Sequence, residues 1–324
     1  MSAREIRSVA VRRGAALLAS VSLLAGLAAA SEAAQICEDL DPEVQQTLQA
    51  MADSARRVNY SGVVTLQRGG DMQIMELSHR VDEHGTTEAL ARLTGQDARV
   101  QRLGHPADCQ HPGHQLLRPG PSLESGVCSL SLYYRFRVGP GERIAGRDAL
   151  RLRIEPRDMY RFGYIFELDR GSALMLKSTT LGADQRVLEQ FQFASLSLSA
   201  PVGDGSDTGA AVQHQAQHPH PDESENLRAG PAWEIAWLPS GFLATDAAPV
   251  ESQRKSYTDG LSSFSVFLEP LVTAIKPGEG VERQGSTVAY TRGVVLRSRP
   301  VLVTVLGEIP TNTARMVADS VRMR

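Results

Sequence analysis

Cysteine is scarce in this chain of 324 residues: there are only three, so the core has to hold without a dense framework of covalent staples. Apolar runs long enough to cross a bilayer are missing after residue 30, which excludes a later membrane-spanning helix. Positive charge is not in excess either. With 34 Lys and Arg against 37 Asp and Glu, the net charge is −3, and nothing in that balance favours nucleic acid as a partner. The signatures of common enzymes are absent as well: there is no G-x-S-x-G elbow, P-loop, H-E-x-x-H or dinucleotide fingerprint. His79 and His84 flank a strand end, and sequence alone places no nucleophile beside a base.

The first thirty residues are a different matter. Arg4, Arg7, Arg12 and Arg13 precede the apolar run "GAALLASVSLLAGLAAA", Gly14 to Ala30, and small residues there suit cleavage after Ala30 or Ala33. This reads as a secretory signal over residues 1–30, so a soluble, exported protein is expected. Its removal takes away four basic groups and one acidic group and moves the net charge from −3 to −6. Cys37 follows "AQI", which is no lipobox.

Cys109 and Cys128 lie 19 residues apart in a Pro- and Gly-rich segment. In an exported chain they are candidates for a disulfide, which contributes about 3 kcal/mol by the chain-entropy argument. Oxidation removes the thiolates that zinc needs, so His111 and His114 between them, and His214, His218 and His220 further on, are not read as a metal site.

Periodicity divides the remaining chain. "DPEVQQTLQAMADSARRVNY" places Val44, Leu48, Met51, Ala55 and Val58 at helical spacing, with Asp41 as cap and Pro42 at the first position. From Tyr60 to about Ser199 the pattern alternates, with turn signals such as "RGGD" and "DRGSA". Leu130, Leu132, Tyr134, Phe136 and Val138 share one face, and Leu150, Leu152 and Ile154 turn away from Arg151, Arg153 and Glu155. An antiparallel sheet with one dry and one wet face follows.

Residues 200–232 have no hydrophobic period and are rich in Gly, Pro, His and acid, which predicts a linker. Residues 233–324 hold further strand patterns and end with Ala314, Val317, Ala318 and Val321 at helical spacing. The expected fold class is therefore α+β in two domains, the second smaller and closed by a C-terminal helix.

The stretch "MYRFGYIFELDRGSALMLKS" puts Tyr160, Phe162, Tyr164, Phe166 and Leu168 at every second position. Such an aromatic face can be plain core, a wall of a ligand cavity, or a surface that a partner covers.

The segment from Ala145 to Phe193, "AGRDALRLRIEPRDMYRFGYIFELDRGSALMLKSTTLGADQRVLEQFQF", resembles the MucB/RseB family of periplasmic regulators of the envelope-stress sigma factor sigma-E. "WLPSGF" at Trp237, "SYTDGLSSFSVFLEP" at Ser256 and "VTVLGEIPTNTARMVADSVR" at Val303 are similar to the family's second domain. The resemblance implies an N-terminal LolA/LolB-like antiparallel half-barrel over residues 31–199 with helices on its concave side, and a C-terminal anti-sigma-factor-binding domain. It implies a sensor without catalysis or cofactor. Such a sensor binds the periplasmic part of a membrane-spanning anti-sigma factor of the RseA/MucA type and shields it from proteolysis. Lipopolysaccharide or mislocalised lipoprotein releases it, through acyl chains in the half-barrel. The His-bearing insert around Cys109 and the long linker depart from the family pattern.

On that reading the cavity candidates are Tyr160, Phe162, Tyr164 and Phe166, joined by Leu132, Tyr134, Phe136, Leu174 and Leu176 on neighbouring strands. The partner-facing candidates are Tyr257, Asp259, Leu261, Phe264 and Phe267. A lipid or lipoprotein carrier of LolA type shares the half-barrel but has no use for the second domain. An exported hydrolase finds no support in any motif. Homo-oligomerisation is left open.

Overall fold

The structure, a computed structural model, describes residues 40–82, 85–95, 99–103, 130–199, 232–245, 253–271 and 278–323. The export signal, Cys37, the Cys109/Cys128 pair, His84 and the linker lie outside the described residues.

Helix α1 (Pro42–Arg57) begins where the cap signal placed it. The Asp41 carboxylate accepts from the Glu43 N–H at 2.9 Å, and Pro42 occupies the first turn. Val44, Leu48 and Met51 are all buried along its inner stripe.

The alternating region forms one nine-stranded antiparallel sheet. Its strands are β1 (Asn59–Arg68), β2 (Asp71–Asp82), β3 (Gly85–Arg92), β4 (Arg99–Leu103), β5 (Tyr134–Ile144), β6 (Arg147–Pro156), β7 (Gly163–Asp169), β8 (Met175–Leu181) and β9 (Val187–Ser199). The order β4-β3-β2-β1-β9-β8-β7-β6-β5 makes β4 and β5 the edges among the described residues, where the sheet is open. It also curls. Ala145 in the β5–β6 turn and Leu196 on β9, four strands apart, both pack against Ile144, Ala149 and Leu176.

Helix α1 lies inside that curl. Leu40, Val44, Leu48 and Met51 meet Tyr134, Leu152, Ile154, Phe162, Tyr164, Phe166 and Leu168 in one cluster. Burying each large apolar side chain there contributes about 1.5–3 kcal/mol, so the stripe, more than helix propensity, holds α1 in place. On the other face charge is neutralised locally. Glu167, only 1% exposed, accepts from Arg151 Nε at 2.7 Å, and buried Asp169 pairs with Arg147 at 2.8 Å.

The C-terminal region is a six-stranded antiparallel sheet in the order β11-β12-β13-β16-β15-β14. The strands are β11 (Leu243–Ala244), β12 (Arg254–Thr258), β13 (Ser263–Pro270), β14 (Glu279–Gln284), β15 (Thr287–Leu296) and β16 (Arg299–Gly307). Helix α2 (Thr311–Asp319) covers one face, where Ala314 and Val317 meet Val288, Tyr290, Val303 and Val305. The sequence carries the helical pattern on to Val321, but that residue leaves the helix. It starts β17 (Val321–Met323), which pairs with β10 (Trp233–Ile235) and ties the two ends of this domain together.

Candidate functional site at the domain junction

The segments that carry the family resemblance lie far apart in sequence, yet the fold brings them to one place. That place is the contact between the two sheets. Its centre is Arg161, whose side chain has no solvent exposure. Arg161 Nη1 donates to Asp259 Oδ2 at 2.8 Å, Nη2 donates to the Ser240 carbonyl at 2.6 Å, and Nε donates to Asp158 Oδ1 at 3.1 Å. The guanidinium also lies against the rings of Tyr133, Tyr134 and Phe242, at 4.8, 5.4 and 5.2 Å.

Asp259 is the second hub. Besides Arg161 it accepts from the Tyr134 hydroxyl at 2.8 Å and, through Oδ1, from the Leu261 and Ser262 N–H groups at 2.9 and 2.7 Å. Burial pushes its carboxyl upward, and the Ser262 N–H and the Arg161 charge oppose that rise. Burial, and after it the Asp259 charge, also raise the Tyr134 phenol far above its ordinary value, so it stays a hydrogen-bond donor. Tyr164, raised by its own burial, shares a 2.8 Å hydrogen bond with Ser262 Oγ across the junction.

Apolar contacts complete the seam. Leu261 sits in the same cluster as the α1 stripe and the β7 rings, although it belongs to the second domain. Tyr160 stacks edge-on with Trp237 at 5.3 Å, and its carbonyl accepts from Thr313 Oγ1 at 3.1 Å. Gly241, with φ +89°, lies so close to Tyr133 that an added Cβ would overlap the ring, which accounts for the glycine in "WLPSGF". At a second contact the β1–β2 hairpin meets the β14–β15 turn. There Glu189 pairs with Arg68 at 3.2 Å and accepts from Ser286 Oγ at 3.0 Å. Glu308, half-buried, lies within electrostatic reach of both Glu189 and Arg68.

The fold sorts the cavity candidates. Tyr134, Phe136, Phe162, Tyr164 and Phe166 gather against α1. Leu132 does not join them: residues 131–133 form a turn, β5 begins only at Tyr134, and Leu132 stays 50% exposed. Tyr160 faces Trp237 of the second domain instead. A bulge between Glu167 and Leu168 shifts the β7–β8 register, so Met175 rather than Leu176 packs with the rings. Leu176 turns to Ile144 and Ala149, and Leu174 is buried in the β7–β8 turn.

The partner-facing candidates also divide. Tyr257 and Phe264, stacked at 5.5 Å, belong to the core of the second domain. Asp259 and Leu261 serve the junction, which leaves Phe267 as the member of that set outside both, half-buried on the sheet face away from Val266 and Leu268.

Sequence reasoning passed over Asp158, Ser240 and Tyr133, and it gave Arg161, which stands beside the aromatic strand, no anionic partner. The usable signal was an arginine set inside an aromatic run, opposite the glycine-bearing motifs. His79 is buried, bonded through Nδ1 to the Val58 carbonyl at 2.9 Å and stacked on Tyr60, which is a structural role. Among the described residues no three His, Cys, Asp or Glu side chains come together as a metal site, and no helix is long and apolar enough to cross a membrane. A cavity of about 710 Å³ opens beside the junction between Arg135, Glu155, Arg157, Met159 and Gln185, on the wet side of the sheet.

The family model for the MucB/RseB N-terminal domain matches residues 43–218, and that for the MucB/RseB C-terminal domain matches residues 228–322. The chain belongs to the MucB/RseB family. Its relatives include the sigma factor AlgU regulatory protein MucB of Pseudomonas aeruginosa, 33% identical over 316 residues that cover 94% of this chain and 96% of that protein. The sigma-E factor regulatory protein RseB of Escherichia coli K12 is 25% identical over 295 residues, covering 85% of this chain and 89% of that one.

Solved MucB structures agree with the fold. The MucA/MucB complex of Pseudomonas aeruginosa matches with a TM-score of 0.66 at 30% identity, covering 87% of this chain and 99% of the solved one. A crystal structure of MucB matches with a TM-score of 0.59 at 28% identity, covering 88% and 99%.

Proposed function

We propose that this chain is an exported regulator that holds the periplasmic part of a membrane-spanning anti-sigma factor of the RseA/MucA type. By shielding that segment from regulated proteolysis it restrains a sigma-E-type factor. One observation carries the reading: similarity to MucB runs through both domains, and a MucB solved together with MucA is covered over 99% of its length. Residues 1–30 serve as the export signal in this reading, and residues 200–232 as the tether between a lipid-sensing domain, residues 31–199, and an anti-sigma-binding domain, residues 233–324.

Acyl chains of lipopolysaccharide or of mislocalised lipoprotein are the release signal. Each buried methylene contributes about 0.8 kcal/mol, so a few of them rival a protein contact. The aromatic face under α1 is the receiving surface.

The test uses the exported chain and a labelled periplasmic fragment of the anti-sigma factor from the same organism. Saturable binding, slower cleavage of the fragment by the site protease, and release on adding lipopolysaccharide are expected. A fragment that neither binds nor gains protection overturns the proposal.

A further inference from the structure

Leu261, one of the partner-facing candidates, is turned by the fold into the first domain instead. It stands on a five-residue loop of the second domain, Thr258–Ser262, yet it is 6% exposed inside the first domain's cluster, among α1 and the rings of β7. The loop is built to present it. Thr258 Oγ1 donates to the Ser262 carbonyl at 2.8 Å and accepts from the Gly260 N–H at 3.0 Å, which closes the loop into a tight knuckle. Gly260 takes φ +98° and passes against Leu130, a conformation that side-chain-bearing residues rarely adopt. Polar bonds fasten both sides of the leucine: Asp259 to Arg161 and Tyr134 before it, Ser262 to Tyr164 after it.

We propose that this loop is an internal plug: Leu261 occupies the position among α1, Tyr134 and Tyr164 that an acyl chain takes, so acyl binding and domain docking exclude each other. The inference rests on the acyl-sensing reading given above and adds the physical link that reading lacks. A ligand moves an equilibrium only by its different affinity for the two states. Here the difference is steric, because one apolar site cannot hold both the leucine and the chain. Expelling the loop also breaks the bonds from Tyr134, Arg161 and Tyr164, so an event in the first domain's core frees the second domain. The apparent affinity for an acyl ligand is then its intrinsic affinity multiplied by the fraction of molecules with the plug out.

The chain carries its own reporter. Of its two tryptophans, Trp233 is in the second domain's core and Trp237 rests on Tyr160 at the seam. The experiment titrates the exported chain with 11-(dansylamino)undecanoic acid, following dansyl emission for binding and tryptophan emission for docking. It does the same for Leu261→Ala and for Asp259→Asn, with circular dichroism confirming that each variant is folded.

The expected result is binding by the wild type with a red shift of tryptophan emission. Affinity should rise roughly tenfold in Leu261→Ala, the scale of removing most of one leucine's burial, and rise as well in Asp259→Asn. Binding with no tryptophan shift and with equal affinity in all three proteins overturns the plug while leaving acyl sensing intact. Absence of binding in all three overturns both.

Discussion

Arg161 and Asp259 form an ion pair in which both side chains are wholly buried. Removing one charge strands the other, so Arg161→Met should cost about 3–5 kcal/mol, seen as a lower urea midpoint. Replacing both, Arg161→Met with Asp259→Leu, should recover much of that loss because no lone buried charge remains. Glu308 gives a pH signature. Burial, and then repulsion from Glu189, push its carboxyl up to about 6 from 4.5, with Arg68 offsetting part of the shift. An acid whose pKa rises on folding holds its proton more tightly in the folded chain. Its ionisation therefore leaves stability untouched below about 4.5, lowers it as pH rises through about 6, and costs up to about 2 kcal/mol above that. Glu308→Gln should be the more stable protein at pH 7 and equal to wild type at pH 4 in urea unfolding, where other groups titrate alike in both.

At the scale of elements, α1 is held by a cap and a stripe. Asp41→Ala removes the bond to the Glu43 N–H and should cost about 1 kcal/mol. Leu48→Ala leaves a cavity between the helix and the β7 rings and should cost about 2–5 kcal/mol, measured by the same unfolding curves. These elements were legible because their signals are local. Asp41, Pro42 and a stripe at 3.6-residue spacing announce a helix whatever it packs on, and the Arg68 to Asp71 "RGGD" announces a hairpin. Where the local pattern misled, a non-local contact had intervened. The bulge opposite Leu168 exchanges Met175 for Leu176, and pairing with Trp233 to Ile235 pulls Val321 out of the helical pattern.

For the whole molecule, the junction joins two sheets through buried polar groups on both sides. A seam of that kind is costly to open part-way, because every unpaired group then lacks both protein and water partners. Docking should therefore be close to all-or-none. A disulfide engineered across the seam should abolish lipid-driven release of the anti-sigma fragment while leaving fragment binding in place. Unchanged release would show that the signal travels by another route than separation of the domains.

Sequence by itself determined the absence of common catalytic motifs, the α+β class, the helix under its cap, the alternating strands and the family, since each rests on neighbouring residues or on short motifs. Only tertiary structure decided what the aromatic stretch from Tyr160 to Phe166 is for. Three readings of that face were open in the sequence, and the fold gives its rings to three neighbours: helix α1, Leu261 and Trp237. The physical reason is distance along the chain. Arg161 and Asp259 are separated by 98 residues, and no local pattern records that a buried cation in one domain has its anion in the other.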